Sequence, residues 1–207
     1  MGTALAVGGD LGRAQAGVRL VLASTSPQRR TILEQLQIPF EVVAPSYVEH
    51  DSLDADPVML VRAHAEGKAR SVHRDGAVTL GVDTTVHLDG RVYGKPVDEA
   101  EAARMLGALS ARTHVVVSGL CLLGTNLESI ETAATDVTFR RLSEEDVALY
   151  LASGEWKDRA GAYAIQGLGG RLVERIDGDY LNVVGLPAAL LVGLLAEHAP
   201  ELLQIGI

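Results

Sequence analysis

Apolar positions along the chain change their spacing several times, and each change marks an element. Residues 18–23 form a short β-branched, apolar run and read as a strand. Ser26 followed by Pro27 is a helix opening, with Ser as N-cap and Pro at the first helical position. Ile32, Leu33 and Leu36 supply the apolar stripe of that helix. Residues 40–43 read as a second strand, 57–72 as a helix with apolar and charged positions at helical spacing, and 78–82 as a third strand. Gly90 marks a turn. Residues 98–109 predict an amphipathic helix with Ala102, Met105, Leu106 and Leu109 on one side. An apolar strand over 114–123 is expected to pair with 134–142. Ser143 then caps a helix carrying Val147, Tyr150 and Leu151, which Gly154 ends. Glycines crowd residues 160–179, where sharp turns are expected, and Pro187 begins a closing helix. Alternating strands and helices predict an α/β fold with part of its sheet parallel. Repeats, low-complexity tracts and domain linkers are absent.

Composition narrows the class. The 207 residues fit one sizeable domain or two lobes on a shared core. With 47% hydrophobic and 22% charged residues the chain is ordinary for a globular protein. Its longest apolar candidate, 186–195, falls short of the roughly 20 residues a membrane span requires. Residues 1–17 are rich in Gly and Ala, lack the pattern of a secretory signal, and read as a loose leader. Cys121 is the only cysteine, which excludes an internal disulfide. Its apolar neighbours favour an inert core thiol, and a reducing cytoplasm is the default location. The formal net charge of −9 argues against sequence-independent binding to duplex nucleic acid. It leaves room for a small anion held by a few local cations.

Several segments carry candidate chemistry. In Ser24-Thr25-Ser26-Pro27-Gln28-Arg29-Arg30 a strand runs into a helix N-terminus, where anions bind readily. Arginines are disfavoured in a first turn, so Arg29 and Arg30 either meet a phosphate, point into solvent or pair with Glu34. Asp83 lies at the expected end of an apolar strand, where ligands collect in open α/β sheets. It can ligate a cation, take a proton, or merely close a turn. Lys95, between Gly94 and Pro96, lacks the upstream glycine loop of a nucleotide-binding P-loop and by itself reads as a surface lysine. Glu49 sits in a polar stretch with His50 and Asp51, and Lys68 stands among Glu66, Arg70 and Arg74 like a solvated helix face. The histidines, His64 among them, show no zinc-type spacing. Small residues flank Gln166 in Ala160-Gly161-Ala162-Tyr163-Ala164-Ile165-Gln166-Gly167, a setting for reading a nucleobase edge or for a tight bend.

Taken in order, these segments resemble the Maf family. The resemblance rests on Ser24 to Arg30, Asp83-Thr84, Gly94-Lys95-Pro96, Ala160-Gly161-Ala162-Tyr163 with Gln166, and Gly178-Asp179-Tyr180 through Asn182-Val183-Val184-Gly185-Leu186-Pro187. It covers residues 19–195 and leaves the leader aside, with 18–207 as one Maf-like domain. It implies an α/β fold of the Maf/ITPase-like kind, with a mixed twisted sheet, flanking helices and two lobes around a cleft. It also implies hydrolysis of a nucleoside triphosphate to monophosphate and pyrophosphate with a divalent metal cation (Mg²⁺, with Mn²⁺ or Co²⁺ as alternatives), often by a homodimer. By position Asp83 matches the catalytic carboxylate. Ser24, Arg29, Glu49, Lys68 and Lys95 match residues lining the phosphate and metal site, with Asp83 and Glu49 as the metal ligands. Gln28, Thr84 and Gln166 fall on the positions that sort substrates. Members acting on dTTP and UTP usually carry arginine where this chain has Gln28, and Arg159 replaces a usual lysine. Thr84 and Gln166 are nevertheless of the dTTP/UTP type by that resemblance, so the expected substrate is dTTP/UTP or a modified pyrimidine nucleotide. 7-Methyl-GTP or another non-standard nucleotide, or a weakly hydrolysing regulator of cell division, stand as alternatives.

Overall fold

A computed structural model of the chain describes residues 19–50 and 56–204, so the expected leader over 1–17 lies outside the described residues. Its strands are β1 (Arg19–Leu22), β2 (Phe40–Val42), β3 (Ala77–Leu88), β4 (Arg91–Tyr93), β5 (Thr113–Gly124), β6 (Leu127–Phe139) and β7 (Val173–Asp177). The helices are α1 (Pro27–Gln35), α2 (Pro57–Val72), α3 (Glu99–Leu109), α4 (Glu144–Ala152), α5 (Tyr180–Val184) and α6 (Ala188–His198). The strands form one mixed sheet in the order β2-β1-β3-β5-β6-β7, with β4 also on β3. β2, β1 and β3 are parallel, and the pairs from β3 through β7 are antiparallel. This is the α/β architecture expected, with the parallel part confined to the first three strands. Among the described residues no helix is long and apolar enough to cross a membrane.

Two strands are longer than their apolar runs. β3 continues through Thr84-Thr85-Val86 to Leu88, because β-branched residues suit a pleated strand and β5 supplies partners from Thr79 to His87. Asp83 is therefore inside a strand and not at its end. β6 starts at Leu127 rather than 134, because Thr125-Asn126 closes a two-residue hairpin between Gly124 and Leu127. It stops at Phe139, where the ladder shifts register. Within the glycine-rich stretch the chain also makes one strand, β7, where only turns were expected.

One face of the sheet divides into two hydrophobic clusters. Leu20, Leu22, Leu80, Val82, Leu120 and Leu122 pack with α1 and α6 in one. Val86, Leu88, Val116, Val137 and Phe139 pack with α3 and α4 in the other. Between them, on the same face, Thr84 lies opposite Ser118 with their hydroxyls 2.8 Å apart. The two expected lobes are these clusters, and the polar pair is the floor between them. The opposite face carries α2, packed through Ala65 and Ala69 against Cys121 and Leu123.

The sheet also has an interrupted edge. β5 covers one side of β3 along most of its length. On the other side β1 pairs only with residues 77–80 and β4 only with 86–88. Among the described residues no strand pairs with 81–85 on that side, and Asp83 and Thr84 sit in the gap.

Candidate active site

Two glycines set how closely α2 approaches the sheet. A Cβ added at Gly119 would lie 2.3 Å from the Val61 carbonyl oxygen, and one at Gly81 only 2.0 Å from that of Ala65. Gly119 is the cross-strand partner of Asp83, and Gly81 precedes it by two on the same face. The helix backbone therefore lies directly over the aspartate. On α2 the inward stripe is Val61, His64, Ala65, Lys68 and Ala69, spaced as one helical face. Two polar side chains in that stripe are delivered to Asp83. Lys68 Nζ is 2.6 Å from Asp83 Oδ1, and His64 Nδ1 is 3.4 Å from Oδ2.

A third glycine brings in the loop after β2. A Cβ at Gly67 would fall 2.3 Å from the Tyr47 ring, so this loop folds directly onto α2. The Tyr47 ring meets His64 edge-on at 5.8 Å. Two residues further on, Glu49 reaches across to Lys68, with Oε1 2.7 Å from Nζ. Glycine inside a helix costs roughly 1 kcal/mol relative to alanine. Here it admits the ring that steers the loop.

Asp83 is 8% exposed, Lys68 6% and His64 3%. Burial pushes the Asp83 carboxyl up, but the His64 hydrogen bond, the Lys68 ammonium and the more distant Arg29 outweigh it. The group is held well below the usual carboxylate range. The reading of Lys68 as a solvated helix residue does not survive, because its ammonium is buried between two carboxylates.

Arg29 comes from the first turn of α1 and points inward, not toward Glu34. Its Nε donates to the Gly185 carbonyl (2.9 Å), Nη1 to Ser24 Oγ (3.2 Å) and Nη2 to Thr84 Oγ1 (3.3 Å). This clamp ties the end of β1, the gap in β3 and the turn after α5 together. Burial lowers the Arg29 pKa, while Asp83 and Glu49 raise it. The expected Ser26 cap is only partly realised. Ser26 occupies the N-cap position, but its hydroxyl donates to Gln28 Oε1 at 3.0 Å, and Ser24 Oγ accepts the Ser26 N–H at 3.2 Å. Arg30 is exposed, as the solvent alternative has it.

Two connected chambers open from this frame. The larger, about 490 Å³, is lined by Ser24, Glu49, Lys68, Lys95 and Lys157. The smaller, about 100 Å³, is lined by Thr84, Val86, Val116, Tyr163 and Gln166. Ser26, Gln28, Arg29, Asp158 and Arg159 line both. One compartment is thus cationic with a carboxylate at its wall, and the other is narrow, part apolar and edged by amides and a hydroxyl. The structure brings Ser24, Glu49, Lys68 and Lys95 to the first, Thr84 and Gln166 to the second, and Gln28 and Arg29 to their boundary. Asp83 joins them through Lys68.

Sequence reasoning missed four contributors. Ser118 and the Gly185 carbonyl carry no local signal, because only pairing and the turn after α5 place them beside Thr84 and Arg29. Arg159 was noticed only as a replacement for lysine, yet it stands between the chambers. His64 was passed over for lack of zinc spacing. The available signal was its place in the 61-64-65-68-69 stripe. Glu49, His64 and Asp83 now offer ligand atoms all within 4.8 Å of one another. Two carboxylates and an imidazole suit a divalent cation. The ammonium already held between the carboxylates shows that this space attracts positive charge.

The model of the family described as Maf-like protein matches residues 19–198. A dTTP/UTP pyrophosphatase of Deinococcus radiodurans is 45% identical over 185 residues, covering 88% of this chain and 94% of that protein. One from Gloeobacter violaceus is 46% identical over 182 residues, covering 87% and 96%. A third, from Symbiobacterium thermophilum, is 46% identical over 181 residues, covering 86% and 93%. Among solved structures, a HAM1 protein from Coxiella burnetii covers 87% of this chain and 99% of its own at 17% identity, with a TM-score of 0.49. By the span of the family match and by the identity and coverage of its relatives, the chain belongs to the Maf family.

Proposed function

We propose that the protein is a nucleoside triphosphate pyrophosphatase, releasing pyrophosphate and leaving a nucleoside monophosphate. A pyrimidine triphosphate such as dTTP, UTP or a modified form is its preferred substrate. One observation carries this reading. A buried, strongly acidified carboxylate, Asp83, is held by Lys68 at the wall of a chamber suited to a triphosphate, and that chamber shares Gln28, Arg29 and Arg159 with a slot suited to a base.

The charge of the triphosphate selects the larger chamber. Lys68, Lys95, Lys157 and Arg159 line it and offset the phosphates, while Ser24 Oγ adds a hydroxyl at its inner end. Asp83 and Glu49 hold the divalent cation, Mg²⁺ or a related ion. When bound, it polarises the α-phosphate and lowers the pKa of a water. Asp83 Oδ1 is engaged by Lys68 and Oδ2 by His64, so the carboxylate orients that water and takes its proton once one of these contacts is released. A carboxyl so strongly acidified is a poor base at rest. In-line attack then expels pyrophosphate, whose developing charge the same cations stabilise. In the slot, Thr84, Gln28 and Gln166 read the base edge, with Tyr163 and Val86 as walls. Gln28 has an amide where arginine is usual among dTTP/UTP enzymes, so it recognises the pyrimidine by hydrogen bonding without a charge. A homodimer in the cytoplasm completes the proposal, on family resemblance; light scattering tests the dimer.

The deciding experiment is a panel of nucleoside triphosphates with Mg²⁺, detecting pyrophosphate and orthophosphate separately. Pyrophosphate from dTTP or UTP supports the reading. Orthophosphate alone, or nucleotide binding without turnover, refutes it.

A further inference from the structure

We infer that His64 is a direct nitrogen ligand of the divalent cation, so that the metal is held by Glu49, His64 and Asp83 from three separate elements. This rests on the metal-dependent reading above and extends it to a residue which that reading leaves unused. The imidazole is 3% exposed, projects from the buried stripe of α2, and stands 3.4 Å from Asp83 Oδ2. It is a costly residue to place against the sheet, where the stripe otherwise holds Val61, Ala65 and Ala69 and only Lys68 is also polar. Its orientation is set from two sides, by the edge-on Tyr47 ring and by the α2 backbone pressed onto Gly81 and Gly119. The three donors already lie within 4.8 Å of each other, and the Lys68 ammonium occupies the space between the two carboxylates. A dication of higher charge competes for that space and drives the ammonium toward the phosphates.

A nitrogen donor has a chemical consequence. Carboxylate and water ligands suit Mg²⁺ and Mn²⁺, whereas an imidazole favours a borderline ion such as Co²⁺. The site therefore binds Co²⁺ more tightly than Mg²⁺ before any nucleotide arrives, and His64 adds to that difference, while Mn²⁺ serves as the paramagnetic probe.

The test uses the full chain without nucleotide. Mn²⁺ is bound and examined by pulsed electron paramagnetic resonance for coupling to an imidazole nitrogen, then again with ¹⁵N-histidine incorporated. Co²⁺ and Mg²⁺ affinities are measured by calorimetry for wild type, His64→Leu and His64→Asn. The expected result is one histidine nitrogen coupled to Mn²⁺ in wild type and lost in both variants. Co²⁺ should bind about ten- to a hundredfold more weakly in the variants, the scale of disturbing a metal's ligand sphere, with Mg²⁺ affinity almost unchanged. Wild type with no nitrogen coupling, with no metal binding, or with coupling that survives in a folded variant overturns the assignment. If both His64 variants fail to fold, a wild-type spectrum without coupling still overturns the assignment, and coupling that survives His50→Gln supports it. Coupling present in a protein that releases no pyrophosphate would leave the ligand standing and sink only the activity.

Discussion

Gly119→Ala adds one methyl group on the sheet directly beneath α2. The new Cβ would lie 2.3 Å from the Val61 carbonyl oxygen, 2.5 Å from its carbon and 2.9 Å from the Arg62 nitrogen, all of them backbone atoms. No side-chain rotation relieves this, so the helix must recede by about 1 Å to restore ordinary contact. Overpacking of this kind costs about 1–3 kcal/mol, and removing a strand glycine returns roughly 0.5–1 kcal/mol. The net loss is about 0–2.5 kcal/mol, or up to some 10 °C in Tm for a chain of this size. Activity should fall further than stability. The Lys68–Asp83 contact of 2.6 Å and the His64–Asp83 contact of 3.4 Å both span the widened interface. Lysine can stretch to follow, but the imidazole cannot. A displacement of about 1 Å at the reacting groups is worth up to about a hundredfold in rate. Pyrophosphate release and thermal unfolding are measured on the same preparations, with Gly107→Ala as control. Gly107 is in α3 with nothing within 4 Å of an added Cβ, so alanine there should raise stability by about 1 kcal/mol and leave the rate alone. Gly119→Ala with wild-type Tm and a rate within about twofold of wild type would refute the claim that helix–sheet spacing positions the site.

Other perturbations address separate groups. Asp83→Asn keeps the size and removes the charge, and turnover should drop at least about a hundredfold; near-normal turnover rules out its role. Gln28→Arg should move preference toward dTTP or UTP over modified pyrimidines in the substrate panel, and an unchanged profile means that position 28 does not select. His114 is fully buried beside Tyr163 Oη (2.9 Å), and burial lowers its pKa from 6.5 to about 4. The unfolded chain thus takes up this proton first. The stabilisation is complete above about pH 6.5 and is lost as pH falls toward about 4. Between pH 7 and pH 5 wild type should lose about 2 kcal/mol more than His114→Gln by urea unfolding; equal losses would refute it. Cys121, fully buried with its thiol pushed up to about 12 by burial, should resist alkylation by iodoacetamide in the native state and react only after unfolding.

How much of this was legible beforehand differed by element. α2 and α3 run from 57 to 72 and from 99 to 109, close to their sequence-read bounds, because a one-sided apolar stripe over many residues leaves few alternatives. β7 was not foreseen. It is a half-exposed strand with no clean alternation in Val173-Glu174-Arg175-Ile176-Asp177, and only its pairing with β6 makes it a strand. Asp83 was read as closing a strand, whereas it lies inside one, since the apolar run ends where the strand does not. Lys68 kept the look of a surface lysine because its sequence neighbours Glu66 and Arg70 do form an exposed pair. Periodicity could have separated them, because 66 and 70 lie off the inward stripe and 68 lies on it. The contacts of Arg29 with Gly185 and Thr84 span 156 and 55 residues and had no local trace.

The unpaired stretch of β3 sets a rule for how this scaffold can vary. Were the first strand to continue past Leu22 and zip onto residues 81–85, the ladder would be more complete and the pocket would be filled with backbone. Early termination at the Ala23-Ser24 bend, where the Ala23 N–H makes a last bond to the Leu80 carbonyl at 2.9 Å, is what leaves room for a guest. Lengthening that strand by two or three residues is thus an inhibitory change made without touching any reactive group.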